Sequence, residues 1–370
     1  MAAEKKIYFI IALLTFIAYI ILAAQPIPKE TILTSNWLRS LDSGINSGEN
    51  GADAENAGDY LIPFSLGNRF GYAGSGGNLI LNEEKKGIVS LSGDYWAEYE
   101  SAPETVTIHH IRSGKETVLA PPWGYPLFIG GRIFIISKDQ TTLGEIDGEG
   151  GSLWTYDFEA PLTCLDAGGG YTLTGTLDGM VDLLDSGGKP VFPSYAPGAS
   201  RIPVILGCRI SQDGEKLAIV SGVDKQRFLI LEWYGEGDYR VTHHEFLQGE
   251  GFRREVKLAF IDNDSRVVFE QEAGLGVYDV KSRTTVTLPL PGKLEALDGN
   301  GEGGLFFFIT SGADSAAGGK GQKRFVGLKL PGVKLIDIPF KSETSFLARQ
   351  GRDIIVGGGM TLASFKLDKR

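Results

Sequence analysis

The chain has 370 residues, of which 42% are hydrophobic, so it contains enough apolar side chain for a large core. Its formal net charge of −10 argues against a nucleic-acid partner, because proteins that bind nucleic acids carry basic stripes. The two cysteines are too few for a disulfide scaffold or a four-thiolate metal site. The 51 glycines, together with abundant Val, Ile, Thr, Phe and Tyr, favour an all-β protein with many turns.

An uninterrupted apolar run, residues 7–24, follows Lys5 and Lys6. At a rise of ~1.5 Å per residue, a helix of this length is just long enough to cross a bilayer. We therefore predict a signal-anchor, a single transmembrane helix in the cytoplasmic (inner) membrane. The lysines would stay in the cytoplasm, which places the rest of the chain on the periplasmic side. The alternative is secretion after signal cleavage near Ala24, because the run ends in small residues.

Residues 25–59 form the next predicted segment. We expect a short helix over residues 31–41. Residues 42–59 are small, polar and acidic, with too little apolar side chain to offset the entropy lost on ordering. The sequence therefore predicts a flexible tether over residues 25–59.

From Tyr60 onward, β-prone runs follow one another at intervals of about ten residues, the spacing of sandwiches, barrels and propellers. We find no convincing amphipathic helix in this part of the chain. The runs group into units of about 35 to 50 residues, which is a propeller-like period. The predicted units are 67–119, 124–158, 161–194, 202–247, 254–290, 293–340 and a shorter one at 343–368.

The last unit, 343–368, has room for three strands, whereas a propeller blade needs four. Residues 60–65 supply the missing strand in our interpretation, so that the two ends of the domain pair and close the ring. The sequence thus predicts an all-β protein, a β-propeller of about seven four-stranded blades over residues 60–370.

Residues 162–188 show the repeating unit most clearly. Three short β-prone runs are separated by Gly168, Gly169 and Gly170 and by the Asp178-Gly179 pair, which supply the positive φ angles of tight hairpins. Such a small meander cannot bury both its faces alone. Stacking of successive units is the way in which it makes a core.

Several motifs resemble known propeller repeats. Residues 147–154 and 175–185 resemble the repeat of quinoprotein-type propellers, and residues 210–218 and 277–284 are similar to elements of WD-repeat (WD40) propellers. The resemblance implies a propeller fold and leaves function open, because propellers host binding and catalysis alike. Enzymes of the quinoprotein family commonly carry an adjacent Cys-Cys pair, which this sequence lacks, so we expect no quinone cofactor.

Two glycine-rich stretches have the spacing of phosphate-binding motifs. Residues 299–304 match G-x-G-x-x-G, but a strand follows them where the motif requires a helix, so we predict a loop between strands. Residues 318–322 resemble a phosphate loop superficially, and we interpret residues 311–322 as an exposed insertion.

The four histidines are His109, His110, His243 and His244, and both pairs lie in predicted strands. Neighbouring strand residues point to opposite faces, so neither pair chelates one metal ion directly. Residues 262–265 offer oxygens for calcium, but they lack the full twelve-residue loop, and we predict a β-turn with Asx side chains.

Cys164 and Cys208 fall in the first strands of consecutive predicted units. Either two buried thiols or, in an oxidising compartment, a bond between the units fits this placement. The tryptophans Trp96, Trp123, Trp154 and Trp233 are predicted to serve blade packing. Residues 121–126 form a rigid aromatic connection, either a stiff linker between blades or a docking edge.

The polar residues near predicted inner strands and turns form no recognisable catalytic set; they are Asp166, Asp178, Asp182, Asp185, Arg209 and Asp213. We therefore nominate no catalytic, cofactor-binding or metal-binding residues. The leading interpretation is a non-catalytic platform, membrane-tethered through residues 7–24, that binds a partner protein of the cell envelope. Its layout is similar to that of propeller subunits that assist outer-membrane protein assembly. The alternatives are a small-molecule or glycan sensor, whose ligand is unknown, and a propeller enzyme.

Overall fold

The computed structural model describes residues 8, 12–19, 31–42, 60–120, 122–192, 195–198, 200–235, 237–249, 251–290, 292–312 and 321–369. Residues 12–19 are helical, and within the described ranges no helix has the length and apolar character needed to span a membrane. This finding corrects the prediction of a transmembrane helix at residues 7–24.

Antiparallel sheets account for the strands of the described chain, and we number these blades in chain order. Blade 1 contains β2 (Leu61–Leu66), β3 (Arg69–Gly74) and β4 (Leu79–Glu84). Blade 2 contains β5 (Ile88–Leu91), β6 (Tyr95–Tyr99), β7 (Val106–His110) and β8 (Glu116–Leu119). Blade 3 contains β9 (Gly124–Ile129), β10 (Arg132–Ser137), β11 (Thr142–Ile146) and β12 (Ser152–Asp157). Blade 4 contains β13 (Leu162–Gly168), β14 (Tyr171–Thr176) and β15 (Val181–Leu184).

The remaining blades each have four strands. Blade 5 contains β16 (Ile205–Ile210), β17 (Lys216–Ser221), β18 (Arg227–Trp233) and β19 (Tyr239–Phe246). Blade 6 contains β20 (Leu258–Ile261), β21 (Arg266–Gln271), β22 (Gly274–Asp279) and β23 (Thr284–Leu288). Blade 7 contains β24 (Lys293–Leu297), β25 (Leu305–Ser311), β26 (Gln322–Lys329) and β27 (Val333–Lys341). Blade 8 contains β28 (Ser345–Gln350), β29 (Asp353–Gly358), β30 (Thr361–Lys369) and β1 (Thr31–Ser40).

The all-β propeller prediction is confirmed, but the blade count of about seven is wrong, because the described strands form eight sheets. The predicted unit 67–119 contains strands of two blades. Residues 60–65, assigned to the last blade, belong to β2, which pairs with β3 across the tight turn after Leu66. Gly67 provides the positive φ angle of +59° for that turn. A local hairpin therefore forms here instead of the predicted long-range closure.

The strand that closes the ring comes from residues 31–40, where the sequence interpretation placed a short helix within the tether. β1 pairs antiparallel with β30, from Thr31 opposite Lys369 to Ser40 opposite Thr361. Trp37 donates its Nε1–H to the carbonyl oxygen of Ser75 at 3.0 Å, which links blade 8 to blade 1. Pairing with a distant strand thus decides the conformation of this segment, and local sequence does not reveal such a partner.

Apolar clusters lie between successive blades, including the pair formed by blades 8 and 1. Phe228 of blade 5 and Phe269 of blade 6, for example, are fully buried and stack with ring centroids 4.0 Å apart. Each sheet is therefore covered by its two neighbours, as the meander of residues 162–188 predicts. An unbroken series of such contacts makes the arrangement a closed ring.

The ring has two faces with different connections. In blades 2 to 8 the innermost strand is followed by a turn or short loop, and we call the side that carries these segments, such as 168–170 and 262–265, the hairpin face. The opposite side, where the connections between blades lie, is the linker face. β2 runs the other way, because Tyr60 at its start donates a hydrogen bond to Asp353 on the hairpin face. Gly67 at its end lies near Gly359 on the linker face.

We predict that Leu41→Ala destabilises the propeller by about 2–5 kcal/mol, because Leu41 is fully buried between blades 8 and 1. Leu38→Ala is the matched control, since the Leu38 side chain in β1, three residues before Leu41, is 67% exposed and should change stability by about 0.5 kcal/mol or less. Urea unfolding followed by tryptophan fluorescence measures both variants. Equal midpoints for the two would contradict closure of the ring through β1.

Candidate functional site

A cavity of about 650 Å³ opens at the hairpin face. Innermost strands and their turns in five successive blades, 3 to 7, surround it. The lining residues lie within 130–132, 166–170, 209–212, 259–264 and 299–302. This set includes residues 299–304 in part, and these form a loop between β24 and β25, as the sequence predicts.

The turn of blade 6 shows why these loops fold as they do. Asp262, Asn263 and Asp264 all have positive φ angles, of 56°, 51° and 59°. Short Asn and Asp side chains tolerate this left-handed region better than most residues, and their oxygens bond to nearby backbone. The predicted turn with Asx side chains is confirmed. Asp262 also pairs with Arg266, so its carboxylate is already engaged.

Hydrogen bonds join neighbouring blades around this cavity from blade 3 to blade 8. They are Arg132 Nη1 to Tyr171 O at 3.0 Å, Ile210 N to Asp166 Oδ2 at 2.9 Å, Gln212 N to Asp264 Oδ2 at 2.8 Å, Gly304 N to Asp262 Oδ1 at 2.7 Å and Asn300 Nδ2 to Arg349 O at 2.9 Å. We call this set the rim network. Bonds that involve a charged group are stronger than neutral ones, so the network fixes the loops relative to one another.

Arg132 has a second set of partners behind the cavity. Its Nε and Nη2 donate to the two carboxylate oxygens of Glu145 at 2.8 and 2.6 Å. Trp154 donates its Nε1–H to the same carboxylate at 2.7 Å. Two parallel bonds of this kind hold the guanidinium plane in one orientation. The Arg132 side chain is therefore already fixed when its Nη1 donates to Tyr171 O of blade 4.

Burial raises the pKa of two carboxyl groups at the rim. For Asp166 the raising effect of desolvation outweighs the opposite effect of nearby Arg209 and of the Ile210 amide. For Asp264 desolvation likewise raises the pKa, against the hydrogen bond from Gln212. Asp166 lies near the end of β13 and Asp264 in the turn after β20, and both carboxylates accept a backbone amide of blade 5. The burial that raises both pKa values therefore results from the packing of the loops.

The structure brings only part of the predicted polar set to this cavity. Asp166 and Arg209 line it, and Arg209 donates to its neighbour's carbonyl, Cys208 O, at 2.8 Å. Asp178, Asp182, Asp185 and Asp213 are not among the lining residues. Asp185 accepts the amides of Gly187 and Lys189 in its own turn. Asp178 and Asp213 likewise accept hydrogen bonds within their own turns, from the hydroxyls of Thr176 and Ser211.

The sequence interpretation missed Arg132, Gln212 and Asn300 as cavity residues. Each lies in or directly beside the turn that follows the innermost strand of its blade. The signal that could identify these residues is their equivalent position in successive blades. It can be recognised only when the blade boundaries have been assigned correctly.

The histidine pairs lie in β7 and β19, which belong to blades 2 and 5. His109 stacks on Trp96 with centroids 4.0 Å apart, and His243 packs against Tyr278 at 4.4 Å. Within the described residues, no three His, Cys, Asp or Glu side chains are placed to hold a metal ion.

The cysteines and tryptophans also have assigned places. Cys164 and Cys208 lie in β13 and β16, the first strands of consecutive blades as predicted, and both thiols are free. Trp154 is buried, but Trp123 and Trp233 are 44% and 45% exposed, so packing accounts for only part of the tryptophan set. Trp123 lies in the predicted connection 121–126, but residues 124–126 of that segment belong to β9, and residue 121 lies outside the described chain.

We predict that Asp166→Asn gains stability relative to the wild type as pH rises from about 4 to 7. A carboxyl group whose pKa is raised by folding binds its proton more tightly in the folded state, so its contribution to stability falls as pH rises through the raised value. Asparagine does not titrate. Urea midpoints measured across this range give the difference directly.

Asp139→Asn is the control of opposite sign. The Ser137 hydroxyl, which donates to Asp139, lowers the pKa of that carboxyl group, so the wild-type residue adds stability as pH rises. The Asp139→Asn variant should lose stability relative to wild type as pH rises from about 2 to about 4, the range in which an aspartate of ordinary pKa in the unfolded chain becomes ionised. The same sign for both variants would contradict the assignment of Asp166 as a buried rim carboxyl.

Comparisons with known proteins agree on the fold. An uncharacterized protein of Treponema pallidum (strain Nichols) is 28% identical over 293 residues, which are 78% of this chain and 77% of the relative. The crystal structure of BamB from Moraxella catarrhalis has a TM-score of 0.57 and 14% identity, covering 90% of this chain and 98% of that chain. The computationally designed Ika8 protein has a TM-score of 0.59 and 14% identity, covering 86% and 98%.

At 14% identity, the likeness to the solved structures shows the fold alone. The division into quinoprotein-type or WD-type repeats stays a prediction. The family model described as "beta-propeller protein" matches residues 1–369. The chain therefore belongs to this beta-propeller protein family.

Proposed function

We propose that this propeller is a non-catalytic platform that binds a partner protein of the cell envelope at its hairpin face. The observation that carries the proposal is the rim network around an open cavity of about 650 Å³. It presents turns from five blades as one surface. A protein loop of a partner fits such a surface better than a compact molecule does.

The lining of the cavity supports a polypeptide rather than a small apolar ligand. Pockets for small molecules are lined mainly by hydrophobic and aromatic side chains. Here Phe260 is the one aromatic residue of the described lining, while glycines such as Gly168, Gly169 and Gly170 leave backbone groups accessible. Backbone amides and carbonyls, together with Gln and Asn side chains, are suited to hydrogen bonding with the main chain of a partner.

Rigidity of the loops adds to this argument. Binding orders the loops of an interface, and that ordering costs free energy. The rim network fixes the turns before a partner arrives, for example through the amide of Gln212 bonded to Asp264 at 2.8 Å. A surface of this kind binds with a smaller entropy loss than one built from flexible loops.

The proposal includes a place outside the cytoplasm. It rests on the apolar run of residues 7–24 after Lys5 and Lys6, a pattern typical of segments that direct export. Partners of the propeller would then be periplasmic or membrane-associated proteins of the envelope.

Photo-crosslinking in living cells tests the binding face. We predict that a benzophenone amino acid at Glu302, an exposed residue of the cavity, forms a discrete adduct with one protein, identified by mass spectrometry. The same probe at Glu159 is the control, since Glu159 is exposed on the connection between blades 3 and 4 at the linker face. Equal adducts from both positions, or an adduct from Glu159 alone, would contradict the proposal.

Affinity for the identified protein provides the second measurement. Glu302→Arg reverses a charge at the cavity and should weaken binding at least about tenfold, the effect of losing a strong interface contact. Glu159→Arg carries the same change at the other face and should leave the affinity within about twofold. A loss that is equal in both variants would show that net charge, not the hairpin face, governs association.

Protease treatment of spheroplasts tests the location. The propeller should be digested by added protease while a cytoplasmic marker stays intact, because residues beyond the apolar run would face outward. Digestion that requires lysis of the spheroplasts would place the propeller in the cytoplasm and contradict this part of the proposal.

A further inference from the structure

A second cavity, of about 490 Å³, lies at the linker face of the ring. Its walls come from the segments that lead into the innermost strands of blades 6, 7 and 8, and from the end of β2 with the adjoining Lys85. It is therefore on the side opposite the rim network. We call it the lysine pocket, because Lys85, Lys257, Lys293 and Lys323 line it together with Arg254.

Five basic residues around one cavity stand out in a chain whose formal net charge is −10. Two of them are neutralised within the protein. Arg254 makes two hydrogen bonds to the carboxylate of Glu270, at 2.8 and 2.6 Å. Lys323, only 3% exposed, pairs with Glu295. These two pairs build the wall and leave the other lysines as the charges available to a ligand.

Three lysines remain without a carboxylate partner among the described residues. Lys85 donates to the carbonyl oxygen of Gly67 at 2.9 Å, which directs its ammonium group to this end of β2. Lys257 is half-buried and Lys293 exposed, and the structure shows no ion pair for either side chain within its described part. Two further carboxylates of the lining, Glu255 and Glu343, are exposed to solvent and bring competing negative charge.

A buried network gives the lysine pocket a fixed base. Glu295 accepts a hydrogen bond from the Ser345 hydroxyl at 2.8 Å and pairs with Lys323. Desolvation opposes ionisation of Glu295, but the bonds from Lys323 and the neighbouring hydroxyls prevail and lower its pKa. Burial lowers the pKa of Lys85, so an anion that neutralises this ammonium group would relieve a cost of folding.

We propose that the lysine pocket binds a small ligand that carries phosphate or carboxylate oxygens, held by Lys85, Lys257 and Lys293. Ammonium groups are compact charges that bind such oxyanions through short, charge-assisted hydrogen bonds. The volume of the pocket lies in the range of small-molecule sites, about 300–1,000 Å³. This site is separate from the proposed protein-binding face, so either can hold without the other.

Isothermal titration with inorganic pyrophosphate and with citrate, on the full chain, tests the site. We expect binding of at least one anion, weakened at least about tenfold in Lys257→Gln/Lys293→Gln. The matched control is Lys138→Gln/Lys281→Gln, which removes two exposed charges in blades 3 and 6 away from the pocket. It should stay within about twofold of wild type. The anion that binds more tightly distinguishes phosphate from carboxylate chemistry.

Several outcomes would overturn the site. Neither anion binding to the wild type at about 10 mM would exclude it, and equal weakening in the control would show general screening by surface charge. The single variant Lys293→Gln tests the site without the risk of misfolding, because this side chain is exposed and makes no ion pair in the described chain. It should keep the wild-type unfolding temperature and still lose affinity by about threefold or more. The outcome of the crosslinking experiment at Glu302 does not depend on any of these results, so the two proposals are tested independently.

Discussion

Apolar packing between successive blades is the interaction on which the rest of the structure depends. A single meander of three or four strands exposes two faces, and here each face is covered by the sheet of a neighbouring blade. Burial of side chains such as Phe228 and Phe269 removes large apolar areas from water. The cover is complete only in a ring, so the last blade must reach the first. The contacts of Leu41 and Trp37 with blade 1 satisfy that requirement.

The packing of the blades also determines where polar side chains lie. Where innermost strands turn back at the hairpin face, their loops must satisfy backbone amides that the sheets cannot pair, and Asp and Asn side chains do so. Because neighbouring blades are close there, Asp166 and Asp264 accept amides from the next blade along the ring or the one before it. At the linker face the paired Lys323 and Glu295 of blade 7 both bond to the Ser345 hydroxyl of blade 8. The two cavities therefore differ in chemistry: one offers mainly loop backbone and acids, the other ammonium groups.

Sequence reasoning succeeded where structure is decided locally. Alternating β-prone runs and glycine turns, as in residues 162–188, predict a meander, and the strands of blade 4 match it. It failed where pairing with another strand decides the structure. Residues 31–40 became a strand because β30 offers an unpaired edge, and residues 60–65 became part of blade 1 because β3 is adjacent. The polar site was predictable only in part for the same reason. Asp166 and Arg209 were visible near a turn, whereas Arg132 and Asn300 join them only once five blades are aligned.

The pairing of β1 with β30 joins residues more than 300 positions apart, such as Thr34 and Lys366. The other ladders of the described chain join strands that are consecutive in sequence, so this seam has by far the greatest sequence separation among the strand pairings. Closing so long a loop carries a large entropic cost, and contacts of high sequence separation slow folding. Synthesis runs from the N-terminus, so β1 is made before β30, the strand with which it pairs. Until β30 has been made, β1 has no strand of its own chain to pair with, and an unpaired strand edge is a site at which chains associate.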